Sequence, residues 1–76
     1  MSELVLFIAK SLVDNPDAVS VETKQDGDYT VIELHVAEGD MGKVIGKQGR
    51  IAKAIRTVVK AAATKANIRV VVEIVQ

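Results

Sequence analysis

The chain has 76 residues, 49% of them apolar, and no cysteine, which fits a single small domain, 1–76, and excludes a disordered tail, disulfide staples and thiolate metal sites. Its formal net charge is zero, but between Asp40 and Arg69 eight basic residues stand against Asp40 alone, +7, while the remainder sets Lys10 and Lys24 against nine acids, −7. Such segregation points to an anionic partner.

Ser2 and Glu3 suit the start of a helix that runs to about Asp14, where Asn15-Pro16 ends it. Its longest apolar run, Leu4 to Ala9, is far too short to span a bilayer. Met1-Ser2-Glu3 lacks the basic start of a signal peptide, so a cytoplasmic protein with no membrane association is expected. The helix is apolar over more than one stripe, enough for its own sheet and a second contact, with Phe7 expected in the core.

Residues 18–25 alternate, with Val19, Val21 and Thr23 on one side and Ser20, Glu22 and Lys24 on the other. Asp26-Gly27-Asp28 signals a hairpin, and the return strand, about 29–37, turns Ile32, Leu34 and Val36 inward. Asp40 is a good N-cap for a short helix ending near Ile45, and Gly46 stops it. A longer helix spans about Arg50 to Ala66, with Ile51, Ile55, Val58, Val59 and Ala62 as its apolar stripe and Lys53, Arg56 and Lys60 on another face. Asn67 is a C-cap, and Ile68, Val70, Val72 and Ile74 alternate in a last strand. The expected fold is α+β, in the order α-β-β-α-α-β, with three helices on one face of a three-stranded sheet.

The informative segment is Val44-Ile45-Gly46-Lys47-Gln48-Gly49-Arg50-Ile51. Two helices meet through glycine, two polar residues and glycine. Gly46 is expected in the left-handed conformation that ends the first helix. Gly49 lets a ligand approach the start of the second, where first-turn N–H groups lack partners and the helix dipole is positive. Amides, dipole and Lys47 make an anion site. Arg50 and Lys53 in the first turn are locally unfavourable, by roughly 0.3–1 kcal/mol, which suggests that their charge serves binding.

This segment resembles the core motif of the KH family, and the element order is similar to its prokaryotic, type II form. The resemblance covers essentially the whole chain and is nearest to the small, single-domain KhpA-type proteins of bacteria. It implies a loop, Gly46, Lys47, Gln48 and Gly49, that clamps the backbone of about four nucleotides of single-stranded RNA, or of single-stranded DNA. Arg50, Lys53 and Lys43 would add charge, and Val44, Ile45 and Ile51 would line an apolar groove with residues of the adjoining sheet. It further implies RNA chaperoning or post-transcriptional regulation, a homodimer, and pairing with a larger KhpB/Jag-like KH protein linked to cell elongation and division. With only Phe7 and Tyr29 as aromatics, base stacking on exposed rings is not available, and weak, loosely specific binding is expected.

Other chemistry fits poorly. Gly42 to Gly46 is one residue short of a nucleotide-binding P-loop, and Gln48 stands where a magnesium-binding hydroxyl is needed. His35 is the sole histidine, expected exposed beside Glu33; with no second histidine or cysteine, neither a metal site nor a His-activated nucleophile is expected. No cofactor and no enzymatic activity are expected. The alternative to RNA binding is a protein-interaction adaptor with a dimerising fold, which the surplus apolar surface of the first helix favours. The basic clamp segment favours RNA.

Overall fold

The computed structural model describes residues 1–46 and 49–75. Helix α1 is Ser2–Leu12, followed by a single 3-10 turn, Pro16–Ala18. Strands β1 (Ser20–Asp26) and β2 (Tyr29–His35) form the hairpin, α2 (Glu38–Ile45) and α3 (Arg50–Ala66) follow, and β3 (Arg69–Val75) closes the chain. This is the expected α+β order.

Period-two alternation decides which way each strand faces. The strand order is β1-β2-β3. β1 pairs antiparallel with β2, placing Thr23 opposite Ile32, and β2 pairs parallel with β3, placing Ile32 opposite Val72. Strands joined in parallel need a crossover, and α2 and α3 provide it. Ile32, Leu34 and Val72 therefore project from the sheet's inner face, where they meet Val5 and Ala9 of α1 and Ile55 and Val59 of α3 in one buried cluster. α1 and α3 cover the sheet, and α2 leans on α3. Burying each valine, leucine or isoleucine of this cluster contributes about 1.5–3 kcal/mol.

Helix ends follow local chemistry. At the end of α3, Asn67 takes φ 59°, ψ 41°. The Ile68 N–H donates to Ala63 O at 2.9 Å and the Asn67 N–H to Thr64 O at 3.1 Å, which satisfies the last carbonyls and turns the chain sharply into β3.

Two expectations about the core are corrected. Phe7 is 71% exposed. Val5 and Ala9, one helical turn apart, face the sheet, and a residue two positions from either lies near the opposite side of the helix. Val58 is likewise turned outward, while the smaller Ala52 and Ala63 join Ile55 and Val59 as the buried residues of α3.

Candidate nucleic-acid interface

The α2–α3 corner is built on two glycines whose roles differ from expectation. Gly46 is extended, φ −75° and ψ 178°, so it does not need the left-handed region. Its N–H donates to Gly42 O at 2.6 Å, and a Cβ at Gly46 would collide with that same carbonyl oxygen. Gly49 is the left-handed residue, φ 69° and ψ 32°. Its N–H donates to Gly46 O at 2.8 Å, and open space surrounds the place a Cβ would take. One glycine permits close chain packing; the other permits the turn and leaves backbone accessible. Lys47 and Gln48, assigned to the clamp from the sequence, lie outside the described residues.

Gly49 occupies the N-cap of α3, which has no side-chain cap and no acid in its first turn. First-turn amide hydrogens and Arg50 therefore sit together at the positive end of the helix dipole. From there Gly49, Lys53, Arg56 and Lys60 follow at intervals of three or four residues and share one side of α3. The three cations are all exposed.

Two clefts border this helix. One, of about 300 Å³, lies at the corner and is lined by Gly42, Lys43, Gly46, Arg50 and Ile51. The other, of about 270 Å³, runs between α3 and the edge strand β3 and is lined by Arg56, Val59, Lys60, Val70, Val71 and Val72. At its side the Arg56 Nε–H donates to Val72 O at 3.4 Å. Ile45 is 42% exposed and Ile51 half-buried, so both can offer apolar surface. Val44 is 0% exposed. It packs α2 from within and presents no surface, which corrects its assignment to the groove lining.

Sequence reasoning recognised Arg56 and Lys60 as a basic face but did not include them in the site. Their spacing from Gly49 was a usable signal. No local signal placed Val70 and Val72 beside them, because that depends on β3 lying next to α3.

Asp40 was also read differently. Helix α2 begins at Glu38 with Ala37 as N-cap, so Asp40 lies in the first turn and does not cap it. It is 1% exposed. Its carboxylate accepts the N–H groups of Asp14 at 3.2 Å and Asn15 at 3.0 Å, tying the turn after α1 to the helix that carries the corner. Nearby, Lys43 Nζ lies 3.0 Å from Asp14 Oδ1. This pair is exposed and contributes little to stability.

The outer face of the sheet has the opposite character. Glu22, Glu33 and Glu73 stand in register across the three strands. Lys24 Nζ reaches Glu33 Oε1 at 3.1 Å; its hydrogen bond to Glu33, then the charge of Glu33, raises the lysine pKa above its ordinary value. His35 is half-buried, with Nε2 enclosed and without a hydrogen-bond partner among the described residues, in contrast to the exposed histidine expected. Glu22, Glu33 and His35 each bring a potential ligand atom within 4.8 Å of the others, but Lys24 already occupies Glu33.

No helix among the described residues is long and apolar enough to cross a membrane. A profile of the KhpA/KhpB KH domain matches residues 2–74. The chain is 65% identical to the RNA-binding protein KhpA of Caldanaerobacter subterraneus subsp. tengcongensis and 64% identical to that of Clostridium perfringens, in each case over 75 residues, 99% of this chain and all of the relative. It is 43% identical to the RNA-binding protein KhpA of Chlamydia trachomatis over 76 residues, all of this chain and 97% of the relative. These relatives are named for binding RNA and not for a reaction. No solved structure matches the chain. A glycine corner at the head of a basic helix, an α-β-β-α-α-β order and similarity along the full length agree: the chain belongs to the KhpA/KhpB family of KH domains.

Proposed function

We propose that the protein binds single-stranded RNA along α3, with the α2–α3 corner as the backbone clamp. The observation that carries this reading is the left-handed, unobstructed Gly49 at the head of the Lys53, Arg56 and Lys60 stripe. One phosphate meets the first-turn amides of α3 with Lys47 and Arg50, and Gly46 and Gly49 allow its close approach. Gln48 completes the clamp segment, and Lys53 and Lys43 contact neighbouring phosphates. Ile45 and Ile51 give apolar contact, while Val44 holds α2 behind them. Full-length similarity to proteins named as RNA-binding favours RNA over single-stranded DNA and other polyanions.

The protein acts by occupancy, as a cytoplasmic RNA chaperone or post-transcriptional regulator, and needs no cofactor. It folds as the single domain 1–76 and forms a homodimer. Exposed Phe7, Leu12 and Val58 supply apolar surface for a second copy or for a larger KhpB/Jag-like KH protein, the route to a role in cell elongation. The same three residues are what favours the adaptor reading.

Replacing Lys47 and Gln48 together by Asp separates the two. The local charge changes from +1 to −2 where phosphate is expected. Binding of a short labelled single-stranded RNA should fall to the detection limit while circular dichroism stays unchanged. Wild-type affinity should fall with salt at a log–log slope of about −2, from three neutralised phosphates. A folded double variant that binds like wild type would leave the adaptor reading in place.

A further inference from the structure

The outer face of the sheet carries three side chains that RNA binding does not use. Alternation along β2 places Glu33 and His35, two residues apart, on the same outward side. Glu22 of β1 lies directly opposite Glu33 and diagonal to His35, within side-chain reach across the ladder. Each of the three brings a ligand atom within 4.8 Å of the others.

His35 adds a second, independent observation. Its Nε2 is enclosed and has no hydrogen-bond partner among the described residues. Enclosed polar atoms in native folds are normally satisfied, so this one calls for a partner from outside the chain. The glutamates beside it set the sign of that partner. Glu22 and Glu33 face each other across the strands, a like-charge pair that costs stability and that a cation between them would turn favourable. Lys24 meets only part of this need. Its Nζ pairs with Glu33 Oε1 at 3.1 Å from a side chain that is 61% exposed, which leaves Glu33 Oε2 and Glu22 for another cation.

We infer that Glu22, Glu33 and His35 form a binding site for a divalent transition-metal cation of the zinc type. One imidazole nitrogen with two carboxylates suits zinc, whereas magnesium and calcium take oxygen ligands. Around a tetrahedral zinc, with bonds of about 2.0–2.2 Å, ligand atoms lie roughly 3.4 Å apart. Glu22 is exposed and closes the difference by rotating about its own side-chain bonds, while the paired strands hold the backbone. Water takes the fourth position. The two carboxylates neutralise the cation, which ties β1 to β2. The site exists only in the folded chain, so the cation stabilises the fold. It lies on the face of the sheet turned away from α3 and stands whether or not the chain binds RNA.

Zinc titrated into the tag-free full chain by calorimetry, followed by thermal melts, tests this. Wild type should bind one zinc per chain, and its melting temperature should rise with zinc concentration. The ring resonances of His35, the sole histidine, should shift to saturation over the same titration. Glu22→Gln and His35→Asn should each weaken zinc binding by at least about tenfold, a loss that even changes outside the ligand set produce. Asp28→Asn, at the hairpin, should bind zinc like wild type. Magnesium should bind at least about tenfold more weakly than zinc. The assignment is overturned if wild type binds no zinc, or if binding survives both ligand substitutions. Magnesium matching zinc overturns it too, since the imidazole would then take no part. If circular dichroism shows His35→Asn unfolded, Glu22→Gln, at an exposed position, and the His35 resonances decide.

Discussion

The outer face of the sheet and the α2–α3 side both rely on carboxylates, with opposite consequences. On the outer face Glu22, Glu33 and Glu73 form one row, with Lys24 as counter-ion to Glu33. Like charges placed directly opposite one another across a sheet are destabilising. On the α2–α3 side the single carboxylate Asp40 is almost fully buried and accepts two backbone N–H groups. Burial and hydrogen bonding therefore turn one carboxylate into a structural tie, while the solvated row supplies a field. The row disfavours a polyanion on one surface and the Lys53, Arg56 and Lys60 stripe favours it on another. A chain with no net charge can thus present one preferred side to a polyanion.

The largest test of this contrast removes the tie. Asp40→Ala leaves the amides of Asp14 and Asn15 without their acceptor and should cost about 2–3 kcal/mol in urea unfolding, a substantial fraction of the roughly 4–11 kcal/mol expected for a domain this size. Glu73→Ala on the outer face should stay within about 0.5 kcal/mol. Equal effects would remove the distinction. The electrostatic half is tested by charge reversal. Lys53→Glu with Lys60→Glu should weaken binding of a single-stranded RNA by at least about tenfold and make the salt slope shallower by about 1.4, for two lost phosphate contacts. Glu22→Lys with Glu73→Lys reverses two charges on the other side and should change affinity by less than about threefold at physiological salt. Parity between the two double variants would mean that RNA has no preferred face.

Smaller effects sharpen the picture. Glu73→Gln relieves one member of the glutamate row and should stabilise the fold by about 0.2–1 kcal/mol, a gain that shrinks as salt is added. A destabilised variant would show that the row is held by more than Lys24. Lys24 gives the smallest signal. Its pKa is raised in the folded state by Glu33, so its contribution is complete below the ordinary lysine value of 10.5 and is lost as pH rises through the folded value. Thermal melts across that alkaline range should show a slight decline that Glu33→Gln abolishes.

Local patterns made much of the fold legible. The 3.6-residue periodicity and Asn67 marked α3 and its end, because helix bonds and the C-cap are made between near neighbours. Alternation around Asp26-Gly27-Asp28 marked the hairpin and the inward set Ile32 and Leu34 for the same reason. The glycine corner was visible as a motif, but the left-handed turn assigned to Gly46 belongs to Gly49. Gly46 meets Gly42 O only once α2 is wound, and the left-handed turn then falls to Gly49.

By itself, then, the sequence determined the element order, the faces of the strands and the position of a basic, glycine-flanked corner, all set by interactions within a few residues along the chain. The tertiary structure alone decided the parallel pairing of β2 with β3, which no neighbouring residues encode. It also turned Phe7 outward and Val44 inward, since packing against distant elements selects among equally apolar residues. Asp40 became a tie to Asp14 and Asn15, and Arg56 met Val72 O across the cleft. Each of these contacts joins residues 16 to 26 positions apart, and such contacts form only when the assembled core brings the two segments together.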